Sequence, residues 1–496
     1  MKPKISLILA LLLASQCLLA SCADNDTDEK AEDKTNVSVS DDAGIPDSIP
    51  EDTAEQTEAE TEPDIYSTLT PKNYNGYTFA FSIEGQAYGT TEMDFEEMTG
   101  DIIVDTIFTR NRAIEDTLNI VITQDYGLAE GRLKDMHMAG DDVYDVVWLA
   151  VNQMDTMKRE YLFDFYEIED INWDDPWWEA SVRKDYETGS KLFYTQSPMN
   201  LHFYESLVTP LFNKEIAVEF QLEDLYTVVK EGRWTLDKMA EISTSVITDR
   251  DGDGTIDPNK DLVGYAASTN LVPFMTISAG ARYSEMGENG IPVFLGLTDK
   301  LQSSVDKIAK TFSAPNNVVA YGDYIRLFQE QHSLFFLDTL GRVADFRESE
   351  QDFGILPLPK YDEEQEEYYS YVSVIYASGA IIPISARDAE MSAVIIDAMC
   401  QASTDTVKTS YYDTMLKYRK LQDDDGVAML DIIFDNRVFD LAAVYNWGAA
   451  NMWDTNALTT FMNTVAFSGS NTFSSAFESI SGTTQSAIDE FVNGLE

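Results

Sequence analysis

The strongest constraint on the fold is an alternation of short apolar runs with amphipathic stretches, which begins after residue 66. Residues 77–83 and 145–148 are short and rich in β-branched and aromatic side chains, which is typical of strands. Between them, residues 103–118 carry apolar side chains three and four positions apart, the spacing of one helix face. Strands that alternate with helices indicate βαβ units, so the sequence predicts an α/β fold with parallel sheets. In such sheets ligands bind beyond the carboxyl ends of the strands.

The length of the chain predicts more than one lobe. At 496 residues it exceeds the roughly 250–300 residues at which a single hydrophobic core stops growing. Residues 205–370 mix strand-like and helical patterns, and residues 386–496 are mainly helical in pattern. Thr235 is placed to cap a helix at 234–247. Two α/β lobes and a helical C-terminal segment account for this length.

The first residues have the pattern of an export signal. Lys2 and Lys4 precede an apolar run over residues 5–20, which is shorter than the ~20 residues of a spanning helix. A retained membrane anchor is the alternative interpretation. Residues 19–22 read Leu-Ala-Ser-Cys and resemble the bacterial lipobox, which implies that Cys22 is lipidated. We therefore expect a lipid-anchored protein on the extracytoplasmic face of the cell membrane.

Residues 23–65 have the composition of a spacer. They contain sixteen Asp or Glu, two Lys and almost no large apolar side chains. Such a segment cannot bury enough apolar surface to offset its chain entropy, and its like charges repel one another. We expect a disordered acidic tether that holds the folded part away from the membrane, although a merely tolerated surface segment is possible.

Charge and composition exclude several classes of protein. The formal net charge is −53, and so acidic a surface repels phosphate, which disfavours nucleic acid as a partner. Three His and three Cys leave little for a transition-metal site or a disulfide framework. Once the signal is removed and Cys22 is lipidated, only Cys400 remains in the fold, and we expect it to be a buried apolar residue.

The most specific local motif is an Asp-rich loop over residues 249–261. Asp side chains at alternating positions and a glycine at the sixth position are typical of calcium-binding loops, in which a carbonyl and further carboxylates complete the ligand set. Lys260 stands where a bidentate Glu is expected, one residue before the last acid. The pattern predicts a structural Ca²⁺ site, and an acidic turn without an ion is the alternative. The predicted ligands are Asp249, Asp251, Asp253, Thr255, Asp257 and Asp261.

An ordered series of motifs carries a family resemblance. Phe-Asn-Lys at 212–214 is followed by Gly-Arg-Trp-Thr-Leu-Asp at 232–237, the Asp-rich loop, and Gly-Tyr at 264–265. Asp-Phe-Gly-Ile-Leu-Pro-Leu-Pro at 352–359 comes later. The series resembles extracellular solute-binding protein family 1, the lipoprotein receptors of carbohydrate ABC importers. Leu236 departs from the family pattern, where Trp is usual.

The resemblance implies a periplasmic-binding-protein-like fold of two α/β lobes with a ligand cleft between them. It implies that residues 1–22 are the signal and 23–65 the tether. Lobe 1 would comprise 66–207 and 371–400, and lobe 2 would comprise 208–370 and 401–496. The chain would cross between lobes near 206–210 and return near 371–375. The implied function is capture of a sugar by hinge closure and delivery to an ABC permease, by a monomer that is not an enzyme.

A sugar offers hydroxyl groups and an apolar C–H face, so its cleft needs aromatic rings together with carboxylates and amides. Candidates are expected where strands end or where the lobes meet, although aromatic residues more often pack in cores. Asp338 could equally be a helix N-cap. The predicted ligand-binding residues are Trp148, Phe203, Tyr204, Asp338, Tyr376, Trp447, Trp453 and Asp454.

Other functions remain open at this point. A peptide or polyamine receptor is the alternative that the negative charge allows. A secreted glycan-active enzyme needs two carboxylates about a glycosidic bond, and 87 acidic residues make such a pair easy to imagine. An adhesion or scaffold lipoprotein would bind no small ligand.

Overall fold

The computed structural model describes residues 66–83, 92–126, 132–154, 159–267, 272–312, 323–346, 349, 351–417, 424–447, 458, 460–462 and 472–494. Contacts divide the chain into two units, Met1–Glu62 and Pro63–Glu496, and the description concerns the second. The predicted signal, the lipidation of Cys22 and the tether lie outside the described residues, as do Trp453 and Asp454.

Twelve strands occur in the described part of the chain. They are β1 (Tyr77–Ile83), β2 (Ile120–Tyr126), β3 (Val146–Ala150), β4 (Val208–Asn213), β5 (Val263–Ala267), β6 (Ser284–Met286), β7 (Pro292–Phe294), β8 (Ser333–Thr339), β9 (Phe353–Ile355), β10 (Ser370–Tyr371), β11 (Ser378–Ile381) and β12 (Arg437–Val438).

The α-helices of the described residues follow the same chain order. They are α1 (Ile102–Leu118), α2 (Arg132–Ala139), α3 (Ala180–Tyr186), α4 (His202–Glu205), α5 (Lys214–Glu219), α6 (Leu225–Lys230), α7 (Leu236–Ser245), α8 (Met275–Ser278), α9 (Asp299–Phe312), α10 (Tyr324–Gln329), α11 (Ala389–Asp405), α12 (Val407–Lys417), α13 (Asp424–Asp435), α14 (Leu441–Val444) and α15 (Phe473–Asn493).

The first sheet has the strand order β11-β3-β1-β2. Strands β1, β2 and β3 run parallel, and α1 connects β1 to β2, so the predicted βαβ unit is confirmed. All five residues of β3 are buried, because neighbouring strands and packed side chains cover both faces. Strand β11 comes from far along the chain and pairs antiparallel with β3, with Ser378 opposite Ala150.

The second sheet has the order β5-β8-β4-β9. Strand β8 runs parallel to β5 and antiparallel to β4, and every residue of β8 is buried. Helix α7 packs against β5, and its N-cap is Thr235, whose side chain accepts a hydrogen bond from the Lys238 amide as predicted. The indole of Trp234, fully buried, donates to the carbonyl of Pro357.

Two segments connect the regions of the two sheets. Leu207, just before β4, bridges to Val372, and the Ser373 amide donates to the Ser206 carbonyl at 2.9 Å. These are the segments predicted to cross between the lobes. The two-lobed α/β fold class is confirmed, whereas the exact lobe boundaries stay a prediction. No helix among the described residues is long and apolar enough to span a bilayer.

Candidate ligand-binding site

The carboxyl end of β3 lies against the segment that returns to the first sheet. The Val151 amide donates to the Ala377 carbonyl, and the Asn152 amide donates to the Val374 carbonyl, both at 2.9 Å. Ligands of α/β sheets bind at such strand ends. The end of β3 therefore brings the return segment to the edge of the sheet where a ligand is expected.

Asp338 lies near the end of β8 in the second sheet, opposite Thr209. Its carboxylate accepts hydrogen bonds from the Tyr324 hydroxyl and the Thr339 amide, both at 2.6 Å. The side chain is 1% exposed, and burial raises the pKa of Asp338 above its usual value. In this conformation the Asp338 carboxylate is hydrogen-bonded to neighbouring residues and is shielded from solvent.

Arg342 connects Asp338 to the return segment. Its Nε lies 3.9 Å from the Asp338 carboxylate, and its guanidinium is hydrogen-bonded to the Tyr376 side chain. Burial alone would lower the pKa of Arg342, but Asp338 and Tyr376 outweigh burial and the pKa is raised. We call Tyr324, Asp338, Arg342 and Tyr376 the crossing cluster. It joins two predicted site residues, Asp338 and Tyr376, and its half-buried members are Arg342 and Tyr376.

A second feature is a cavity of about 490 Å³ with aromatic rings in its wall. We call it the aromatic cavity, and define it by Phe193, Tyr445, Trp447 and Phe491. Tyr445 stacks on Trp447 with ring centroids 5.5 Å apart and planes 22° apart. Phe491, from the end of α15, meets the Trp447 ring edge-on at 5.0 Å. Trp447 is thus a predicted ligand-binding aromatic that lines a cavity, with 3% of its surface exposed.

Arg159 supplies the cation of the aromatic cavity. Its Nη2 donates to the Thr188 hydroxyl at 3.1 Å, and its guanidinium lies over the Phe491 ring. Burial lowers the pKa of Arg159, and the adjacent Tyr445 hydroxyl opposes that shift. The guanidinium is thus held between Thr188, Tyr445 and the Phe491 ring. Glu160 and Glu490 also line this cavity and bring carboxylates to it.

Buried hydrogen bonds fix Tyr445 and Trp447 in place. Asp440 caps α14 by accepting from the Ala442 amide at 2.9 Å. The same carboxylate accepts from the Tyr283 amide at 2.8 Å and the Ser284 hydroxyl at 2.9 Å. Asp440 therefore ties α14 to the start of the β6–β7 hairpin, and the two aromatic residues follow directly after α14.

Three predicted ligand-binding residues lie in the core instead. Trp148 is 1% exposed, and its indole donates to the Ser378 hydroxyl at 2.8 Å. Phe203 and Tyr204 are also buried, and the Tyr204 ring stacks on Tyr411. None of the three presents a ring face to solvent, because each completes the packing near a crossing segment. Their role in binding stays a prediction that this burial does not support.

The sequence missed Tyr324, Arg342, Arg159 and Phe491. Arg342 carries a weak signal, since it follows Asp338 by four residues in the segment Leu340–Phe346, which forms a 3₁₀ helix. Phe491 and Arg159 carry none, because only the fold brings them together.

The Asp-rich loop forms a compact turn in which Asp249, Asp251 and Asp253 each offer a carboxylate oxygen within 4.8 Å of the others. Gly252 and Gly254 have φ values of 73° and 84°, where a side chain would be strained. Their amides donate to Asp249 at 2.6 and 2.7 Å. Three converging carboxylates fit a hard divalent cation.

The rest of the predicted ligand set fits less well. Asp261 is 1% exposed and accepts from the amides of Arg250 and Asp257, so it stabilises the loop from inside. Asp257 accepts from the Asn259 amide at 3.0 Å. The Lys260 ammonium lies 3.1 Å from Asp251 and competes there with a cation. Occupancy by Ca²⁺, and any part of the Thr255 carbonyl in it, stays a prediction.

Comparisons with known proteins identify a class of fold and no more. No protein-family model matches the chain, and no curated protein matches it. Among solved structures, the sugar-binding protein MalE from Xanthomonas citri has a TM-score of 0.57 at 11% identity, covering 84% of this chain and 98% of that one.

Two further structures have similar values. A cyclo/maltodextrin-binding protein complexed with maltotetraose has a TM-score of 0.55 at 12% identity, covering 84% of this chain and 98% of that one. An ABC substrate-binding protein from Listeria monocytogenes in complex with cycloalternan has a TM-score of 0.52 at 11% identity, covering 84% and 100%. The fold is therefore that of the two-lobed sugar-binding proteins of ABC importers.

Proposed function

We propose that this protein is an extracytoplasmic solute-binding protein that captures a carbohydrate and delivers it to an ABC permease by hinge closure. The observation that carries the proposal is the fold, which matches proteins described as sugar-binding over nearly their whole length. These neighbours are binding proteins, which favours binding without bond cleavage here.

The chemistry of the crossing cluster supports the same proposal. Tyr376 offers a half-buried ring and a hydroxyl, and Arg342 beside it offers N–H donors held by Asp338. A sugar needs such a pairing of apolar surface with fixed polar groups. The cluster joins the second sheet to the return segment, so a ligand bound there would contact both sides of the hinge.

The proposal includes an anchor and a metal. Cys22 would carry acyl chains that keep the protein at the outer face of the cell membrane, in reach of its permease. A structural Ca²⁺ in the Asp-rich loop would be held by Asp249, Asp251 and Asp253, whose mutual repulsion it would relieve. Support for the ion is the convergence of these three carboxylates. We propose a monomer without affinity for nucleic acid.

A thermal-shift screen tests the proposal. The purified protein is heated with mono- and oligosaccharides, with peptides and polyamines as controls. A ligand at a hundred times its dissociation constant stabilises the folded state by about 2.7 kcal/mol, which is readily measured. A shift with sugars, with intact sugar recovered, is expected. A shift with peptides or polyamines alone, or recovery of cleaved sugar, would overturn it.

A further inference from the structure

We infer that the aromatic cavity is a second sugar subsite beside the crossing cluster, and that the ligand is an oligosaccharide rather than a single sugar. The inference rests on the proposed function and names its substrate class. It follows from the walls of the cavity, its polar groups and its position.

The walls contain aromatic rings, of which Tyr445 and Phe491 are half-buried and Trp447 is 3% exposed. Tyr445, Trp447 and Phe491 form one packed group, with Tyr445 and Phe491 at 4.5 Å between centroids. Phe193 lines the cavity beside Arg159, whose guanidinium carbon is 5.6 Å from that ring. Aromatic surface is what the C–H face of a pyranose packs against. The volume of about 490 Å³ falls within the ~300–1,000 Å³ of small-molecule sites.

The polar groups are mixed in sign. Arg159 brings N–H donors, and its guanidinium already interacts with the Tyr445 hydroxyl in the wall of the cavity. Glu160 and Glu490 bring acceptors to the same cavity. Hydroxyl groups both donate and accept, so they suit a site with both kinds of partner. A bound polyamine would place positive charge beside Arg159, and a bound polyanion would place negative charge beside Glu160 and Glu490. Like-charge repulsion therefore disfavours both ligands.

The position of the cavity links it to the crossing cluster. Met154 lines the cavity, and Asn152, two residues earlier, donates its amide to Val374, which lies two residues before Tyr376. The cavity then extends along the flank of the first sheet, where Leu162 bridges to Pro383 just after β11. One short stretch of chain thus separates the two sites. In this inference a linear molecule of several rings would occupy both sites, whereas a single ring would occupy one.

A blocking variant tests the inference without disturbing the core. Ala487 is exposed on α15 and lines the cavity, so the bulk that Ala487→Trp introduces narrows it. Ser486→Trp is the matched control, because Ser486 is exposed on the same helix and does not line the cavity. Calorimetry measures the affinity of each protein for glucose, maltose, maltotriose, maltotetraose and maltohexaose. Cello-, xylo- and manno-oligosaccharides of the same lengths are measured in parallel.

We expect the wild type and Ser486→Trp to bind the longer members of one series at least about tenfold more tightly than its shortest member. Ala487→Trp should lose this gain in affinity with chain length. The affinity of Ala487→Trp for the shortest binder should be unchanged. A length gain that survives in Ala487→Trp, or a wild type without one, would overturn the inference and leave the proposed function intact. A wild type that binds no sugar would overturn both.

Discussion

The guanidinium carbon of Arg159 lies 3.6 Å from the centroid of the Phe491 ring, although the two residues come from distant parts of the chain. A cation over an aromatic face contributes roughly 0.5–2 kcal/mol, more when it is desolvated. The contact fixes the end of α15 against the first-sheet side of the aromatic cavity. The start of α15 packs elsewhere, since Phe477 stacks on Phe294 of β7.

A double-mutant cycle on this pair should show coupling. Phe491→Leu keeps most of the apolar volume, and Arg159→Met keeps the stem without the charge. Because each change alone removes the cation–π contact, we expect a coupling free energy of about 0.5–1 kcal/mol or more. Urea denaturation of the four proteins measures it. Strictly additive effects would show that the contact contributes nothing to the free energy of unfolding.

Removal of the buried charge beside Arg342 should weaken sugar binding. In Asp338→Asn the amide oxygen still accepts a hydrogen bond from the Tyr324 hydroxyl. The side chain no longer carries the negative charge that balances the guanidinium, so Arg342 loses its fixed position. We expect affinity to fall about tenfold, as for a lost charge-assisted contact. Asp345→Asn is the control, since Asp345 lies 3.4 Å from Arg342 and is more exposed than Asp338. Equal affinities for both variants would contradict the prediction.

Asp185 should make stability depend on pH. Burial raises the pKa of Asp185 to about 6. The Phe439 amide, Arg282 and Lys184 favour the charged carboxylate and lower the pKa, whereas the nearby Asp440 raises it further. The folded protein then binds this proton more tightly than the unfolded chain. The contribution of Asp185 to stability is greatest below its unfolded pKa and is lost as pH rises through about 6.

Asp185→Asn should therefore stabilise the protein above pH 7, by up to about 3 kcal/mol, and change little near pH 4. The amide oxygen can still accept from the Phe439 N–H. Chemical denaturation across this pH range measures the difference, with the exposed Asp174→Asn as control. A constant difference at all pH values would rule out titration of Asp185 as the cause.

The Asp-rich loop should respond to calcium, and Lys260 should limit the response. Ala substitutions of Asp249 and Asp253 should lower the melting temperature only when Ca²⁺ is present. Lys260→Glu should enlarge the shift that Ca²⁺ produces, because it removes the competing ammonium and adds a carboxylate. Lys310→Met is the charge-loss control, since Lys310 is exposed on α9. Identical melting of the wild type with Ca²⁺ and with chelator would exclude the site.

Lipidation at Cys22 predicts membrane association. Cys22→Ser should release the protein into the soluble fraction, since residues 23–65 carry almost no large apolar side chains to replace acyl chains. Fractionation of cells that express either form measures it. Unchanged association of Cys22→Ser with membranes would exclude lipidation at this residue and favour a retained helix.

Local patterns were sufficient to predict the βαβ unit of the first sheet and the cap at Thr235, because periodicity and capping depend on near neighbours. The resemblance implied the two lobes. The site was harder to predict. Trp148, Phe203 and Tyr204 have the composition of ligand aromatics, but whether a ring faces a cleft or a core depends on which distant segments cover it. The Trp148 indole donates to the Ser378 hydroxyl, and Ser378 belongs to β11. No local sequence pattern indicates that β11 pairs with β3.

The aromatic cavity illustrates the same limit. Trp447 was predicted from its polar neighbours, but Arg159 and Phe491 belong to segments that lie far apart in the chain. No spacing in the sequence connects them. Asp338 and Tyr376 were predicted separately, and Arg342 between them was not, since a positive charge near an acid is common in any sequence.

The pairing of β11 with β3 affects the order in which this protein can fold. Ser378 lies opposite Ala150, and all of the second sheet is encoded between them. Because the chain is synthesised from its N-terminus, the first sheet cannot be completed until all strands of the second sheet have been synthesised. Pairings this distant in sequence form slowly, because the intervening chain must be ordered or looped out first. The first sheet thus lacks its edge strand β11 until residues 378–381 have been synthesised.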